Sequence, residues 1–249
     1  MVRRDAYLLA GPTASGKSAA AALLARRMGA TILSADSMLV YKGMDVGTAK
    51  PSVDERAEFS MGGIDLVTPA EHFSSGAWLR AAARWLAAVP AERPVVIVGG
   101  TGLYFSALLR GLDRKWTLPP PAYPVLQLDR AVLHARIAAR LDDMFMRGLA
   151  AEVSELRQRY PTWSDTASAA IGYKEFIDGE DATHVRDRIL VRTRQLAKRQ
   201  DTWFRHQSTP LYVQVGDTAE KTAENVWRTW QEKGPWQVSL PEEGEQDAS

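Results

Sequence analysis

Residues 11–18 carry the pattern of a phosphate-binding loop. They read Gly-Pro-Thr-Ala-Ser-Gly-Lys-Ser, between a short apolar run and an alanine-rich helical stretch, and a preceding strand and a following helix are the context that this motif requires. Its glycines let backbone N–H groups turn toward phosphate oxygens, and the helix N-terminus adds partial positive charge. We therefore expect a diphosphate or triphosphate to bind these residues, with Lys17 as a cation and Ser18 as a ligand of a Mg²⁺ cofactor: Gly11, Pro12, Thr13, Ala14, Ser15, Gly16, Lys17 and Ser18.

Asp36 is a candidate acid–base residue. It follows the second predicted strand, at the carboxyl end, where open α/β sheets place their ligands. A carboxylate there serves as a metal ligand, as a general base, or only as a turn former or helix cap. Position alone leaves these roles open.

The segment 184–206 is a candidate anion-binding surface. The chain has a net charge of +1, but this segment holds seven cations against Asp187 and Asp201. At helical spacing, Val185, Ile189, Leu196 and Trp203 fall on one predicted buried stripe. Such a helix either binds phosphates or exposes a solvated basic face. Its cations are Arg186, Arg188, Arg192, Arg194, Lys198, Arg199 and Arg205.

The elements that must position these residues alternate between strands and helices. Apolar runs predict strands at 6–10, 31–33, 64–67, 95–98, 125–128 and 211–215, and helical patterns cover 17–28, 74–89, 101–109, 130–147, 149–159, 184–206 and 219–232. This order predicts an α/β fold: a P-loop NTPase-like parallel sheet with helices on both faces and a helical C-terminal half. We expect one domain at 1–234 and an acidic, disordered tail at 235–249.

Composition excludes several classes of protein. The chain has no cysteine, so disulfides, thiol catalysis and cysteine-bound zinc are excluded. No apolar run is long enough to cross a bilayer, and residues 1–5 lack the features of a secretion signal. We expect a cytoplasmic protein, a monomer, with a core typical of globular domains.

Several motifs in a fixed order resemble one family. After the phosphate loop come Asp36-Ser37-Met38-Leu39-Val40-Tyr41 and Gly47-Thr48-Ala49-Lys50-Pro51, then Gly99-Gly100-Thr101-Gly102, Ile171-Gly172-Tyr173-Lys174-Glu175, and Arg194-Gln195-Leu196-Ala197-Lys198-Arg199-Gln200. Together they resemble the bacterial tRNA dimethylallyltransferases. These enzymes transfer a dimethylallyl group from dimethylallyl diphosphate to N6 of the adenosine just 3′ of the tRNA anticodon.

The resemblance implies a role for each motif. Lys17, Asp36 and Thr101 would be the catalytic residues, with Asp36 taking a proton from, or hydrogen-bonding to, the attacking amine. Arg194 would join the phosphate loop in holding the diphosphate. The partners implied are dimethylallyl diphosphate and the tRNA anticodon loop, and the implied tRNA-binding residues are Thr13, Ser37, Leu39, Tyr41, Thr48, Lys50, Lys198 and Arg205.

The chain departs from the family in one region. A helical lobe that closes on the anticodon stem-loop normally follows the motif at 99–102, whereas here residues 111–124 form a short, proline-rich connector. The family's histidine near the third predicted strand is also replaced, in the stretch Met61-Gly62-Gly63. We therefore expect an intact diphosphate site and weak RNA binding through phosphate contacts from residues 184–206.

Three other functions compete with tRNA prenylation. The first is prenylation of free adenylate, as in cytokinin-forming relatives that also lack the lobe. The second is a P-loop small-molecule kinase, against which Thr101 and the lack of a second acidic strand motif speak. The third is an inactive nucleic-acid-binding protein, which the complete phosphate loop, Asp36 and Thr101 argue against.

Overall fold

The computed structural model describes residues 2–110, 122–179 and 182–240. Its strands are β1 Val2–Ala10, β2 Thr31–Ser34, β3 Val95–Gly99, β4 Ala122–Gln127, β5 Thr209–Gln214 and β6 Trp236–Leu240. Its helices are α1 Lys17–Met28, α2 Val53–Glu58, α3 Ser75–Ala88, α4 Gly102–Arg110, α5 Arg130–Met146, α6 Leu149–Arg159, α7 Asp165–Ser168, α8 Lys174–Ile177, α9 Ala182–Gln207 and α10 Ala219–Lys233.

A parallel sheet forms the centre of the molecule, in the order β2-β3-β1-β4-β5. Ala10 at the end of β1 lies opposite Gly99 at the end of β3, and Ser34 at the end of β2 lies opposite Val98. The loops that follow these three strands therefore begin side by side. This edge of the sheet is where open α/β folds bind their ligands.

Helices cover both faces of this sheet. Side chains alternate along β1, so Leu9 packs with Leu24 of α1 and Trp230 of α10 on one face. Leu8 packs on the other face in a larger cluster that includes Phe105 of α4 and Phe204 of α9. The predicted α/β class, with a helical C-terminal half, is confirmed. No helix within the described residues has the length and hydropathy needed to cross a membrane.

The strand predicted at 64–67 does not form. The segment makes only isolated bridges, Gly62 to Leu33 and Val67 to Tyr41. Gly63 has φ +77° and Asp65 has φ +53°, and left-handed residues interrupt an extended ladder. Asp65 is held there by ion pairs with Lys50 and Arg56, so an apolar pattern was overruled by charged contacts.

The predictions of a tail at 235–249 and of a connector at 111–124 have different outcomes. Residues 236–240, expected to begin a disordered tail, form β6, which pairs antiparallel with the first half of β1 and buries Val238 completely. Apolar residues at alternate positions fit a strand, and an acidic composition begins only after them. Residues 241–249 lie outside the described chain, as do 111–121 of the predicted connector, whose remaining residues 122–124 belong to β4.

Candidate active site

The phosphate loop is held in the conformation that its sequence predicts. Ala14 has φ +60° and Gly16 has φ +88°, so the chain turns back on itself and enters α1 at Lys17. A side chain at Gly11 would meet the Ser15 hydroxyl at 3.0 Å and Leu126 at 3.1 Å. The buried Ser15 hydroxyl has no hydrogen-bond partner among the described residues. The loop is thus a tight cradle that retains an unused polar group.

Lys17 bends back over this cradle. Its Nζ donates to the Pro12 carbonyl at 3.3 Å. Burial of the amine lowers its pKa to about 8, and the nearby Asp36 carboxylate offsets part of that effect. Because the Lys17 amine is shielded from water, its charged form is energetically unfavourable in the unliganded protein. An incoming diphosphate would restore its charged form.

Asp36 and Thr101 meet at the neighbouring strand ends. Asp36 Oδ1 accepts from the Met38 backbone N–H at 2.9 Å, as a turn former does. Thr101 Oγ1 accepts from the Ser37 backbone N–H at 2.9 Å and lies 3.3 Å from the Ser37 hydroxyl. Both residues line the same channel. Asp36 therefore combines the turn-forming role with a position facing the candidate reaction site.

Two arginines of α5 contact the phosphate loop, and sequence reasoning gave them no role. Arg136 donates to the Ser15 carbonyl at 3.4 Å, and Arg140 donates to Thr13 Oγ1 at 3.1 Å. Burial lowers the pKa of Arg140, against a raising effect of Asp36. The available signal was their spacing of four residues, which puts two cations on one helical face. The residues that this face contacts depend on how α5 packs, which the spacing alone does not determine.

Gln200 of α9 connects the phosphate loop to the loop that carries Thr101. Its side-chain oxygen accepts from the Thr13 backbone N–H at 2.8 Å, and its amide nitrogen donates to the Gly100 carbonyl at 3.1 Å. A side chain at Gly100 would approach that nitrogen to 2.5 Å, so only glycine permits this contact. Gln200 thereby fixes the phosphate loop relative to Thr101.

These residues surround a channel of about 710 Å³. Thr13, Ala14 and Arg140 form its polar part, next to Asp36 and Thr101. Helices α5, α6 and α9 supply the apolar side chains of the remaining wall, and α9 adds the polar Arg192, Thr193 and Arg199 to it. The apolar side chains are Ile137, Leu141, Met144, Leu149, Ile189 and Leu196. A site with a cationic phosphate end and an apolar body suits an amphiphilic diphosphate.

Helix α9 presents its side chains differently from the predicted stripe. Val185 and Ile189 are buried as expected, but Leu196 and Trp203 are only partly buried and line the channel. The packed positions beside them are Ala197 and Phe204. The helix therefore faces the channel as well as the core.

Five of the seven cations of α9 fall into three groups. Arg192 pairs with the fully buried Glu175 at 2.6 Å, and Arg205 pairs with Asp201. Arg194 is absent from the described residues that line the channel, and its Nε is buried with no hydrogen-bond partner among them. Lys198 and Arg199 are exposed and have no hydrogen-bond or ion-pair partner within the described chain.

The other predicted tRNA-binding residues are only partly brought together. Ser37, Thr48 and Thr13 all line the channel. Tyr41 is fully buried in the core, and the Lys50 amine, only 1% exposed, pairs with Asp45 at 2.6 Å and Asp65 at 2.7 Å. Leu39 is partly buried, and its carbonyl accepts from Asp65. Tyr41 and Lys50 thus stabilise the loop that carries Thr48, because their side chains point into the protein.

A magnesium ion would find few protein ligands in this site. The described residues contain no group of three or more acidic or histidine side chains in metal-binding proximity. Ser18 at the first turn of α1 is exposed and adjoins the phosphate loop. Mg²⁺ commonly takes one or two protein oxygens and completes its shell with phosphate oxygens and water. The oxygen donors present fit a metal that arrives with the diphosphate.

Comparisons with known proteins place these features in context. The model of the IPP transferase family matches residues 39–124 and 119–207, and that of isopentenyl transferases matches residues 4–60. The tRNA dimethylallyltransferase of Azoarcus sp. (strain BH72) is 35% identical, over 80% of this chain and 87% of the relative. That of Burkholderia mallei (strain SAVP1) is 35% identical, over 84% of this chain and 90% of the relative.

A solved structure shares the fold. The tRNA delta(2)-isopentenylpyrophosphate transferase of Staphylococcus epidermidis superposes with a TM-score of 0.77 at 24% identity, covering 92% of this chain and 100% of that chain. The alignment with the Azoarcus protein spans 281 residues, more than the 249 of this chain. The relative therefore has segments without a counterpart here, and the two matches to the IPP transferase model meet at residues 119–124.

Proposed function

This chain belongs to the IPP transferase family, which includes the tRNA dimethylallyltransferases, and on that basis we propose that it prenylates tRNA. The reaction moves a dimethylallyl group from dimethylallyl diphosphate to N6 of the adenosine just 3′ of the anticodon. One observation carries the proposal: the phosphate loop, Arg140, Asp36 and Thr101 converge on one channel with an apolar body. A channel of this kind suits both ends of an allylic diphosphate.

The diphosphate is the leaving group, and its stabilisation is the main catalytic task. An N6–C1 bond forms as the C1–O bond breaks, and the bonding electrons leave with the diphosphate. Backbone N–H groups of residues 11–18 would stabilise that charge together with Lys17, which contacts the Pro12 carbonyl, and Arg140, which contacts Thr13. Mg²⁺ held by Ser18 and the phosphates would add Lewis-acid stabilisation of the same oxygens.

The acceptor amine must lose a proton as the new bond forms. We assign this proton to Asp36, whose carboxylate lines the channel while Oδ1 is fixed by the Met38 backbone N–H. Thr101 holds the Asp36 loop, because its hydroxyl accepts from the Ser37 backbone N–H and donates to the Ser37 hydroxyl. A positioned carboxylate is an efficient proton acceptor in such a reaction.

The apolar wall protects the allylic group from water. Trp203 and Leu196 of α9 line the channel, as do Leu141 and Met144 of α5. Excluding water prevents hydrolysis of an electron-poor allylic carbon before the amine attacks. These side chains therefore contribute to product yield as well as to binding.

Nucleoside mass spectrometry tests the proposal directly. The protein is incubated with Mg²⁺ and dimethylallyl diphosphate, together with either unmodified tRNA or AMP. We expect N6-dimethylallyladenosine in the tRNA digest, at the position 3′ of the anticodon. Prenylation of AMP alone would instead identify a free-nucleotide enzyme, and no product with either acceptor would overturn the proposed function.

A further inference from the structure

A buried acid fixes an arginine of α9 at the channel wall. Arg192 Nη1 donates to Glu175 Oε1 at 2.6 Å, and the side chain of Glu175 is completely buried. The other oxygen of Glu175 accepts from the Gly172 backbone N–H at 2.8 Å. Both oxygens of Glu175 are therefore engaged, and the carboxylate holds Arg192 in a set orientation relative to α8.

Part of the Arg192 guanidinium remains accessible to a ligand. Its side chain is 31% exposed, and Arg192 lines the channel together with Gly172 and Thr193. A guanidinium carries five N–H groups, and the contact with Glu175 runs through Nη1. Because a carboxylate holds one side of the guanidinium, the remaining donors keep a fixed direction, which suits recognition of phosphate oxygens.

Helix geometry separates Arg192 from the phosphate loop. The channel-lining residues Arg192, Leu196 and Gln200 follow one another at intervals of four along α9, so they lie along one side of that helix. Gln200 contacts the Thr13 backbone N–H. Arg192 lies about 12 Å from Gln200 along the helix axis, at 1.5 Å per residue. Arg192 is thus a second polar group of the channel, and Leu196 lies between it and the phosphate end.

The reaction itself requires a second anion site. In a displacement at C1, the amine approaches from the side opposite to the leaving oxygen, at about 3–3.5 Å. About ten bonds of roughly 1.4 Å link N6 of an adenosine to its 5′ phosphorus, so a phosphate lies on the order of 10 Å from the attacking nitrogen. The acceptor phosphate and the leaving diphosphate therefore cannot share the phosphate loop.

We propose that Arg192, oriented by Glu175, binds a phosphate that flanks the acceptor adenosine. Its separation from Gln200 is of the same order as the distance from N6 to that phosphate. The contact would place the adenosine in the channel without taking part in the bond-breaking step. Arg192 is then a binding residue for the acceptor, and Glu175 is a positioning residue that acts through it.

This inference rests on the proposed function, and two measurements separate them. The probes are an unmodified anticodon stem-loop RNA and the same RNA with uncharged methylphosphonates in place of the two phosphates that flank the acceptor adenosine. Both are titrated in the presence of dimethylallyl thiolodiphosphate, which does not react. If the wild-type protein prenylates no tRNA, the proposed function is wrong, and the inference falls with it. If it prenylates tRNA but binds both RNAs equally well, the function stands and the phosphate contact is wrong.

The decisive variant combines Arg192→Gln with Glu175→Gln, which leaves no buried charge unpaired. We expect the wild-type protein to bind the methylphosphonate RNA about tenfold more weakly than the natural RNA, since a hydrogen bond to a charged group is lost. The double variant should bind both RNAs about equally, and about tenfold more weakly than the wild type binds the natural RNA. Such non-additive losses indicate a direct contact. Affinity for dimethylallyl thiolodiphosphate alone should stay unchanged.

Two further variants complete the test. Arg186→Gln, on the same helix, removes an exposed arginine that pairs with Asp142 and does not line the channel, so it should keep the full difference between the two RNAs. If the double variant does not fold, Arg192→Lys decides. It keeps a cation for Glu175 but replaces the planar fork, and it should reduce the difference between the RNAs. A wild-type difference in whichever of these two Arg192 variants folds would mean that the pair is only structural and would overturn the inference.

Discussion

At the scale of single residues, Asp36 has two separable duties. An asparagine at this position would keep an oxygen for the Met38 backbone N–H but would accept no proton. We expect Asp36→Asn to lower the turnover number by about 10²–10⁴-fold, the usual contribution of a general base, with little change in the Kd of dimethylallyl diphosphate. Single-turnover kinetics with tRNA, beside calorimetry, would measure both. If Asp36→Asn turned over at the wild-type rate, Asp36 would act only as a turn former and not as a general base.

Lys17 should make diphosphate binding depend on pH. Its pKa is lowered to about 8 in the unliganded protein, and a bound diphosphate raises that pKa because it favours the ammonium. Affinity is therefore highest below pH 8 and falls above it, by up to about tenfold per pH unit. Titration of dimethylallyl thiolodiphosphate between pH 6.5 and 9.5 would show the change, and Lys17→Met should bind weakly without this inflection. An identical inflection in Lys17→Met would assign it to another group.

Arg140 should contribute strongly to diphosphate binding, although no sequence motif marks it as a binding residue. It donates to Thr13 Oγ1 in a desolvated position beside the phosphate loop. Hydrogen bonds to charged groups contribute about 1.5–3 kcal/mol, so Arg140→Ala should weaken diphosphate binding by roughly 10- to 100-fold. Arg147→Ala is the matched control, because that exposed arginine of the same region pairs only with Asp143. If Arg140→Ala and Arg147→Ala weakened diphosphate binding equally, the effect would come from the change in net charge and not from a specific contact.

At the scale of elements, helix α9 connects the channel to the surface. Its inner face carries Gln200 and Trp203, which position the phosphate loop and line the channel. It also exposes Lys198, and Arg199 is exposed while it lines the channel one turn before Trp203. Helix α9 thus contacts the phosphate loop and also exposes positively charged side chains. Some of these cations are paired with acidic side chains, and others are not.

The salt dependence of tRNA binding should separate these cations. Lys198 is not paired with another side chain in the described chain, whereas Arg205 is engaged by Asp201. We expect Lys198→Ala to reduce the slope of log affinity against log salt by about 0.7, the value for one contact to a single strand. Arg205→Ala should change the slope less. Affinities across a salt series would decide, and an unchanged slope in Lys198→Ala would mean that RNA docks elsewhere.

At the scale of the whole molecule, β6 closes the sheet by returning the chain to β1. Val238 is completely buried there, and Trp236 donates to the Ala122 carbonyl of β4 at 2.5 Å. We expect Val238→Ala to lower the free energy of unfolding by about 2 kcal/mol, from lost burial and a small cavity. Urea denaturation would measure it. Val53→Ala, at a site 70% exposed, should cost under about 0.5 kcal/mol, and equal losses would contradict the packing argument.

Local signals explain which parts of the candidate site could be predicted. The phosphate loop needs glycine at a left-handed position and a helix that starts at Lys17, and both requirements are visible in consecutive residues. Asp36 and Thr101 follow apolar strands, and parallel strands bring their ends together. The boundaries of α1 and α6 were predicted to the residue for the same reason, since a glycine precedes or follows each of them.

The tertiary structure alone decided which cations face the phosphates and which polar groups face inward. Arg136 and Arg140 reach the loop because α5 packs across it, and Gln200 reaches Thr13 across 187 residues of sequence. Lys50 belongs to a buried ion-pair network instead of the channel. A sequence specifies residue types and local periodicity, but the partner of a long side chain depends on how helices pack, since several arrangements satisfy the same pattern.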